Sequence, residues 1–166
     1  MQNERMTADV VRELGYLTLG SRLKRIGERL QGQAQVLLEE SGISLPSPCF
    51  PLLAALDRLG PLSVGELAEA VGVSQPAVTR VLDTLESEGL VKSNPPARDR
   101  RVRPIALTRT GRKLISHVKQ SVWPKIEAAV ADACAGAAGP LLTQLAALEE
   151  ALRTTPLNLR AARVSC

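Results

Sequence analysis

Aromatic residues are nearly absent from this sequence: its 166 residues include one Trp, one Tyr and one Phe, although 45% of the chain is hydrophobic. A core must therefore be built from Leu, Val, Ala and Ile, a composition that suits packed helices. The length allows one compact domain, or a small module with a dimerisation element. The shortage of rings also argues against a site that stacks aromatic side chains around a ligand.

Histidine and cysteine are equally scarce. His117 is the one histidine, and the three cysteines, Cys49, Cys134 and Cys166, have no CxxC spacing. We therefore expect neither a disulfide framework nor a structural zinc site, and predict no metal and no cofactor. With a single histidine, the chain supplies few of the side chains that form Ser/His/Asp triads or metal-ligand clusters. We therefore predict that it is not an enzyme. The enzymatic alternative would require a strongly perturbed carboxylate or cysteine in a cleft, and Cys49 is the one weak candidate.

Long apolar runs are also missing. No segment approaches the roughly 20 uncharged apolar residues that span a bilayer. The first residues, MQNERMTADVVRELG, mix charged and apolar side chains and lack the apolar core of a signal peptide. We predict a soluble, cytoplasmic protein that does not contact membranes.

The net charge is only +4, but the positive charge is concentrated in one region. Residues 63–91 carry one Arg against five acidic residues. Residues 92–113 carry eight Lys or Arg against the single Asp99. Such a basic segment is typical of a surface that binds nucleic acid, although a solvated loop remains the alternative.

Helical patterns occupy both ends of the chain. Residues 8 to about 40 are predicted to form one long helix with an apolar stripe, ending near Gly42. Thr108 is predicted to cap a second long helix that runs to about residue 135 and is kinked at Pro124. Residues 136–140 interrupt it, and LLTQLAALEEALR predicts a last amphipathic helix before a flexible polar tail, residues 154–166.

Three shorter helices and a hairpin are predicted between them. PLLAALDRLG forms the first helix and stops at Gly60. Ser63 and Glu66 have the spacing of a capping box and open the second. After a turn at residues 72–73, Ser74 caps the third, with Pro76 in its first turn. Residues 90–93 and 101–107 then form two strands around a loop at residues 94–98, with Pro104 marking an edge strand.

The third short helix has one polar side. At 100° per residue, Gln75, Thr79 and Arg80 lie away from Val78 and Leu82. A B-DNA major groove, about 12 Å wide, admits one such helix, where Gln pairs with adenine and Arg with guanine. Any exposed helix face is polar, but the capped helix, the glycine turn and the basic hairpin together predict a winged helix-turn-helix that binds duplex DNA.

These residues also carry a family resemblance. LSVGELAEAVGVSQPAVTRVLDTLESEGLV, followed by the DxRxxxxxLT spacing from Asp99 to Thr108, resembles the multiple-antibiotic-resistance regulator (MarR) family of bacterial transcription factors. The motifs cover residues 45–115, and the helix layout covers the whole chain. The resemblance implies a mainly α-helical fold, with a winged domain at 43–108 and dimerisation helices at 1–42 and 109–153. It also implies a homodimer on a palindromic site.

The resemblance also implies roles for individual residues. Arg101 would enter the minor groove, where a narrow A·T-rich groove attracts arginine. Asp99 would hold a neighbouring Arg in place. The other implied contacts to bases and phosphates are made by Ser74, Gln75, Pro76, Thr79, Arg80, Arg98, Arg100 and Arg103.

Apolar residues outside the winged domain support the dimer independently. Leu14, Leu17, Ile126 and Val130, with a stripe in the last helix, supply more apolar surface than one small winged domain covers. The alternative is that these helices fold back on their own domain. The stripe comprises Leu141, Leu145, Leu148 and Leu152.

Control of binding is the least determined feature. The resemblance implies release of DNA by a small ligand or by cysteine oxidation. The candidate pocket residues, for which core packing is the alternative, are Tyr16, Leu19, Leu23, Phe50 and Leu53. Cys49 lies near a helix start, where the helix dipole lowers a thiol pKa, but a buried structural thiol is the competing interpretation.

The prediction is a sequence-specific, DNA-binding transcriptional repressor in the bacterial cytoplasm, associated with the nucleoid. The alternative is a winged-helix module that binds proteins without DNA. Salt-dependent duplex binding would distinguish the two.

Overall fold

The computed structural model describes residues 8–93 and 103–164, and side chains up to residue 161. In chain order the helices and strands are α1 Val10–Glu13, α2 Leu19–Glu40, α3 Phe50–Leu59, α4 Val64–Val71, α5 Gln75–Ser87, β1 Val91–Ser93, β2 Ile105–Leu107, α6 Arg109–Ser121, α7 Trp123–Cys134, α8 Leu141–Thr154 and α9 Leu157–Val164. Short 3-10 helices, Gly15–Thr18 and Ser47–Cys49, precede α2 and α3. The architecture is mainly helical with a two-stranded antiparallel hairpin, as predicted.

The chain divides into two compact units, Met1–Ile126 and Glu127–Cys166. In the first, an aliphatic core runs from Leu38 to Val122 and includes Phe50 as its one buried aromatic residue. Side chains with no exposed surface come from α3, α4, α5 and α6: Leu53, Leu67, Leu85 and Ile115 among them. The core therefore joins the three short helices to the start of the long helical segment that follows the hairpin.

The prediction of one continuous N-terminal helix is wrong. The helix ends after Glu13 and resumes at Leu19, with a 3-10 turn between them. Gly15 adopts φ 56°, a left-handed conformation that an α-helix cannot contain and that glycine adopts without steric cost.

The second long helix is also interrupted rather than kinked. α6 ends at Ser121, Val122 is its C-cap residue with φ −108°, and α7 begins at Trp123. Pro124 therefore occupies the first turn of a new helix, where its missing N–H costs nothing. Two helices with separate ends replace the predicted single one.

The second unit contains the rest of α7 with α8 and α9. The apolar interruption predicted at residues 136–140 is present, and Gly139 has φ 79°. The tail that was predicted to be flexible from residue 154 contains the helix α9, which was not predicted. Arg160 helps to place α9, because its Nη2 donates to the carbonyl of Ala151 at 2.6 Å and its Nε to that of Thr155 at 2.9 Å.

Candidate nucleic-acid interface

The two sides of α5 differ completely in burial. Val78 and Leu85 have no exposed surface, and Leu82 is 5% exposed. The opposite side carries the five residues of this segment that we predicted to contact DNA, and all are exposed: Ser74, Gln75, Pro76, Thr79 and Arg80. The buried side fixes α5 to the core, so the polar side faces outward.

Among the described residues, the polar side chains of Thr79 and Arg80 donate hydrogen bonds only to backbone carbonyls one turn earlier in the same helix. Thr79 Oγ1 donates to the carbonyl of Gln75 at 3.0 Å, and Arg80 Nε donates to that of Pro76 at 3.5 Å. No acidic side chain among the described residues pairs with Arg80. Its guanidinium therefore keeps donors for a base edge or a phosphate.

Ser74 is at the N-cap of α5, as predicted, but its side chain makes no capping hydrogen bond. The predicted hydroxyl cap is therefore wrong in this detail, and the position alone is confirmed. A helix start without a side-chain cap still carries partial positive charge from its free N–H groups. Both the hydroxyl of Ser74 and the start of the helix suit an anion such as phosphate.

α4 and the turn after it hold α5 in place. The capping box is present: Ser63 N and Ser63 Oγ both donate to Glu66 Oε2 at 2.7 Å, and Glu66 N donates to Ser63 Oγ at 3.2 Å. These hydrogen bonds, the hydroxyl's first, hold the pKa of Glu66 below its usual value. At the other end, Gly72 adopts φ 71° and turns the chain into Ser74.

The hairpin is short and regular where the structure describes it. β1 and β2 are antiparallel, with Val91 opposite Leu107 and Ser93 opposite Ile105. The structure adds a pairing that we did not predict, in which Leu62 and Ile105 exchange hydrogen bonds of 3.1 and 2.7 Å. Because this pairing joins the hairpin to the residue before the α4 cap, it ties the wing to the helix-turn-helix.

The basic tip of the hairpin falls mostly outside the described residues. Arg98, Asp99, Arg100 and Arg101 lie in the undescribed range 94–102, so their predicted contacts stay predictions. Arg103 and Lys92 are described and are exposed on either arm. The two arms thus carry cations at the point where they lead into the tip.

The base of the wing is locked by contacts that sequence reasoning largely missed. Thr108, predicted only as a helix cap, accepts from Gly111 N at 3.0 Å and donates to the carbonyl of Gly89 at 2.7 Å. A side chain at Gly111 would overlap the carbonyl oxygen of Leu90. Arg112 Nη1 also donates to the carbonyl of Leu107 at 2.8 Å. The TxxG spacing after the second strand was the available signal.

The six effector candidates differ widely in burial within this chain. Cys49, Phe50 and Leu53 are core residues, each at most 5% exposed, whereas Tyr16 is 94% exposed and Leu23 38%. Leu19 is half-buried. The core packing that we weighed against a pocket is what the structure shows for Cys49, Phe50 and Leu53.

Burial also decides the chemistry of Cys49. Desolvation, with a smaller effect from the charge of Glu88, raises the pKa of its thiol to about 11. The structure favours the buried structural thiol over the helix-dipole alternative, because Cys49 lies within the core rather than at an open helix end. A neutral, buried thiol is a poor nucleophile.

Neither a metal site nor a membrane-spanning helix is found in the described part of the chain. No group of three or more His, Cys, Asp or Glu residues in the described ranges is arranged to hold a metal ion. Within the same ranges, no helix is both long and apolar enough to cross a membrane.

Comparison with known proteins agrees with this geometry. The family model described as "MarR family" matches residues 45–102. A MarR family transcriptional regulator from Silicibacter pomeroyi DSS is 30% identical over 82% of this chain and 88% of that one, with a TM-score of 0.59. Two further structures share the fold. A mutant of E. coli MarR in complex with operator DNA is 22% identical, covers 87% and 99% of the two chains, and has a TM-score of 0.69.

The second of these structures is BpsR from Bordetella bronchiseptica, whose DNA binding is regulated by 6-hydroxynicotinic acid. It is 24% identical over 81% of this chain and 90% of that one, with a TM-score of 0.59. The fold and the exposed helix therefore define a winged helix-turn-helix protein. The chain belongs to the MarR family, and it is a DNA-binding transcriptional regulator.

Proposed function

We propose that the chain is a homodimeric repressor that binds a palindromic promoter site and competes there with RNA polymerase. The observation that carries this proposal is the division of α5 into a buried apolar side, with Val78, Leu82 and Leu85, and an exposed polar side. The E. coli MarR structure, with the same fold, contains operator DNA, which supports duplex DNA as the partner.

Base contacts would come from the exposed side of α5. Gln75 suits adenine, Arg80 suits guanine, and Thr79 suits a base or a phosphate. Pro76 would shape the first turn, and Ser74 would meet the backbone. Because Arg80 has no acidic partner among the described residues, no ion pair with them must break before it meets DNA.

The wing would supply the adjacent backbone contacts. Arg98, Arg100 and Arg103 would meet phosphates, Arg101 would enter the minor groove, and Asp99 would orient a neighbouring arginine. Each phosphate contact contributes about −0.9 to the slope of log K against log salt concentration. The contacts of Thr108 and Gly111 support this role because they fix the base of the hairpin, from which the described cations Lys92 and Arg103 extend.

Dimerisation would use the terminal helices, residues 1–42 and 109–153, with 43–108 binding DNA and 154–166 as a tail. Leu17 and Leu142 are 82% and 81% exposed, which supports an apolar surface that a second protomer covers. Two-fold symmetry would place the two α5 helices about 34–36 Å apart, one turn of DNA.

We further propose that a small ligand, rather than oxidation of Cys49, relieves repression. The raised pKa and burial of that thiol support this choice. A ligand can act only by binding the DNA-incompetent state more tightly than the competent one. Because 6-hydroxynicotinic acid regulates BpsR, it is a suitable first probe, and its effect on duplex affinity can be compared with that of hydrogen peroxide.

The protein would act in the cytoplasm, at the nucleoid, without catalytic activity. Membership of a family of regulators, together with a buried and inert Cys49, supports the absence of catalysis.

Selection of bound duplexes from a random pool tests the proposal. The wild type should enrich a palindromic site, Thr79→Ala should relax preference at one position of each half-site, and Arg101→Ala should weaken all sites and flatten the salt slope by about one contact. Lys24→Ala, which removes a cation that is 77% exposed on α2, is the control and should leave the slope unchanged.

Failure to enrich any duplex, with no salt-dependent binding, would favour the protein-interaction module instead. Equal losses on all sequences from Thr79→Ala and Arg101→Ala would contradict the assignment of base reading to α5 and backbone contact to the wing.

A further inference from the structure

The side chain of Gln75 lies against the first turn of the preceding helix. A Cβ added to Gly65, the second residue of α4, would lie 3.5 Å from Gln75 Nε2 and 4.0 Å from Ser63 Oγ. Among the described residues, no other atom outside its own helix backbone and its chain neighbours comes within 4 Å of that position. The amide of Gln75 is thus the main neighbour of residue 65 across the helix-turn-helix.

Nothing in the backbone requires glycine at residue 65. Its φ is not positive, and it lies within a regular helix, where glycine is the least favourable residue apart from proline. Gly111 is the opposite case, since a side chain there would meet the backbone carbonyl of Leu90. At Gly65 the added methyl group would make ordinary van der Waals contact with a flexible amide, so alanine fits.

The backbone of Gln75 is fixed, whereas its side chain is not. Gln75 is the first residue of α5, and its carbonyl accepts the hydroxyl of Thr79 at 3.0 Å. Its side chain is exposed and makes no hydrogen bond with any described residue. Reading adenine requires the amide to present its donor and acceptor together, in one plane, to the base edge. The range of orientations open to the amide therefore affects how well it discriminates between bases.

We propose that residue 65 is a specificity-determining position of this regulator, which acts through the orientation of Gln75 on DNA. Glycine leaves the surface beneath the amide flat, so the amide can tilt and accept more than one base. A methyl group at residue 65 supports the amide on one side and removes some of these orientations. The inference rests on the proposed contact between Gln75 and a base, and it assigns residue 65 a positioning role with no contact to DNA.

The test compares four proteins: wild type, Gly65→Ala, Gln75→Ala and the double variant. The wild-type selection first defines the operator, and the position at which Gln75→Ala relaxes the preference identifies the base that Gln75 reads. Competition binding then uses four duplexes that differ only at that position. We expect Gly65→Ala to increase the affinity ratio between the preferred base and the next by threefold or more, and to have no effect on that ratio when Gln75 is Ala.

Gly32→Ala is the matched control. Gly32 is also a helical glycine with open space around its Cβ position, and it lies opposite the exposed apolar residues Leu23, Ile26 and Leu30 of α2. Both glycine variants should raise the midpoint of thermal unfolding, because alanine favours the helix in each. Only Gly65→Ala should change the base ratio, a readout that a general gain in stability does not move.

An unchanged or smaller affinity ratio between the preferred base and the next in Gly65→Ala would overturn the inference. An increase of this ratio by Gly65→Ala when residue 75 is Ala would overturn it too. If Gln75→Ala leaves the preference intact at every position while the wild type still selects an operator, the inference fails and the regulator proposal stands. If the wild type selects no operator, both fail.

Discussion

The winged region and the terminal helices contain the same types of aliphatic residue, but they differ in how far these residues are buried. Every described residue of the buried core falls between Leu38 and Val122. By contrast, α1, α7 and α8 contain no buried residue, and the exposed side chains of α1 and α8 include the apolar Val10, Leu142 and Leu152. Composition does not separate the two regions; what separates them is whether one chain supplies both sides of the contact.

The difference has an energetic consequence. Complete burial of one Leu side chain contributes about 1.5–3 kcal/mol, and a single protomer leaves this unrealised at Leu17 and Leu142. The winged core is stabilised within one chain, whereas the proposed dimer would stabilise the terminal helices on association. Variants in the two regions should therefore differ in how their effects depend on protein concentration.

The largest effect is expected from Leu53→Ala, at the centre of the winged core. Leu53 has no exposed surface, so truncation leaves a cavity and should lower the free energy of unfolding by about 2–5 kcal/mol. Urea denaturation at several protein concentrations measures this loss, which should be the same at each. Leu142→Ala, on an 81% exposed residue, is the comparison and should show a loss that appears only where the protein is dimeric.

Gly111→Ala should cost about 1–3 kcal/mol, because the new methyl group overlaps the Leu90 carbonyl and forces α6 away from the base of β1. Thermal unfolding and duplex binding are measured together, since displacement of the wing should also weaken DNA affinity. Stability equal to that of the wild type would show that α6 and the wing base are not in firm contact.

Leu17→Asp tests the terminal region directly. Leu17 is 82% exposed in one chain, and burying a carboxylate in a dimer interface is unfavourable. We expect the dimer dissociation constant to rise tenfold or more, equivalent to about 1.4 kcal/mol, with the helical content of the winged region retained. Sedimentation equilibrium measures the constant, and Lys24→Ala serves as the surface control. An unchanged constant would place the dimer contact elsewhere.

The smallest effect is expected from Glu66→Gln in the capping box. The folded-state pKa of Glu66 lies below the unfolded value of about 4.5, so its contribution to stability is present above that pH and lost as the pH falls through the lowered folded pKa. The variant should lose this part of the pH dependence, so the midpoint of thermal unfolding should change less with pH below pH 4.5. Glu69→Gln, on the same helix without a capping hydrogen bond, should keep the wild-type profile.

Much of the winged region was predictable because its signals are local. Ser63 and Glu66 form their capping box within one turn, and Gly72 ends α4 by adopting a conformation that glycine permits. The burial of Val78 and Leu82 follows from helical periodicity alone. The same local logic failed at Gly15, whose left-handed conformation is one of two that glycine adopts equally well.

The contacts that fix the site were not predictable in the same way. Leu62 pairs with Ile105, and Gly111 packs on Leu90, across 43 and 21 positions of sequence. The short helix Ser47–Cys49 contacts α2, α3 and α5, and Cys49 is buried there. Such proximity arises only when the helices pack, because the type of a residue does not indicate which distant residue will lie beside it.

The sequence alone determines the order of the short helices, the capping box of α4 and the polar side of α5, because each depends on interactions within about one helical turn. Only the tertiary structure decided how the hairpin attaches to the helices, which thiol is inert, and that Gln75 rests over Gly65. Those outcomes depend on which surfaces exclude water together, and that is a property of the packed chain.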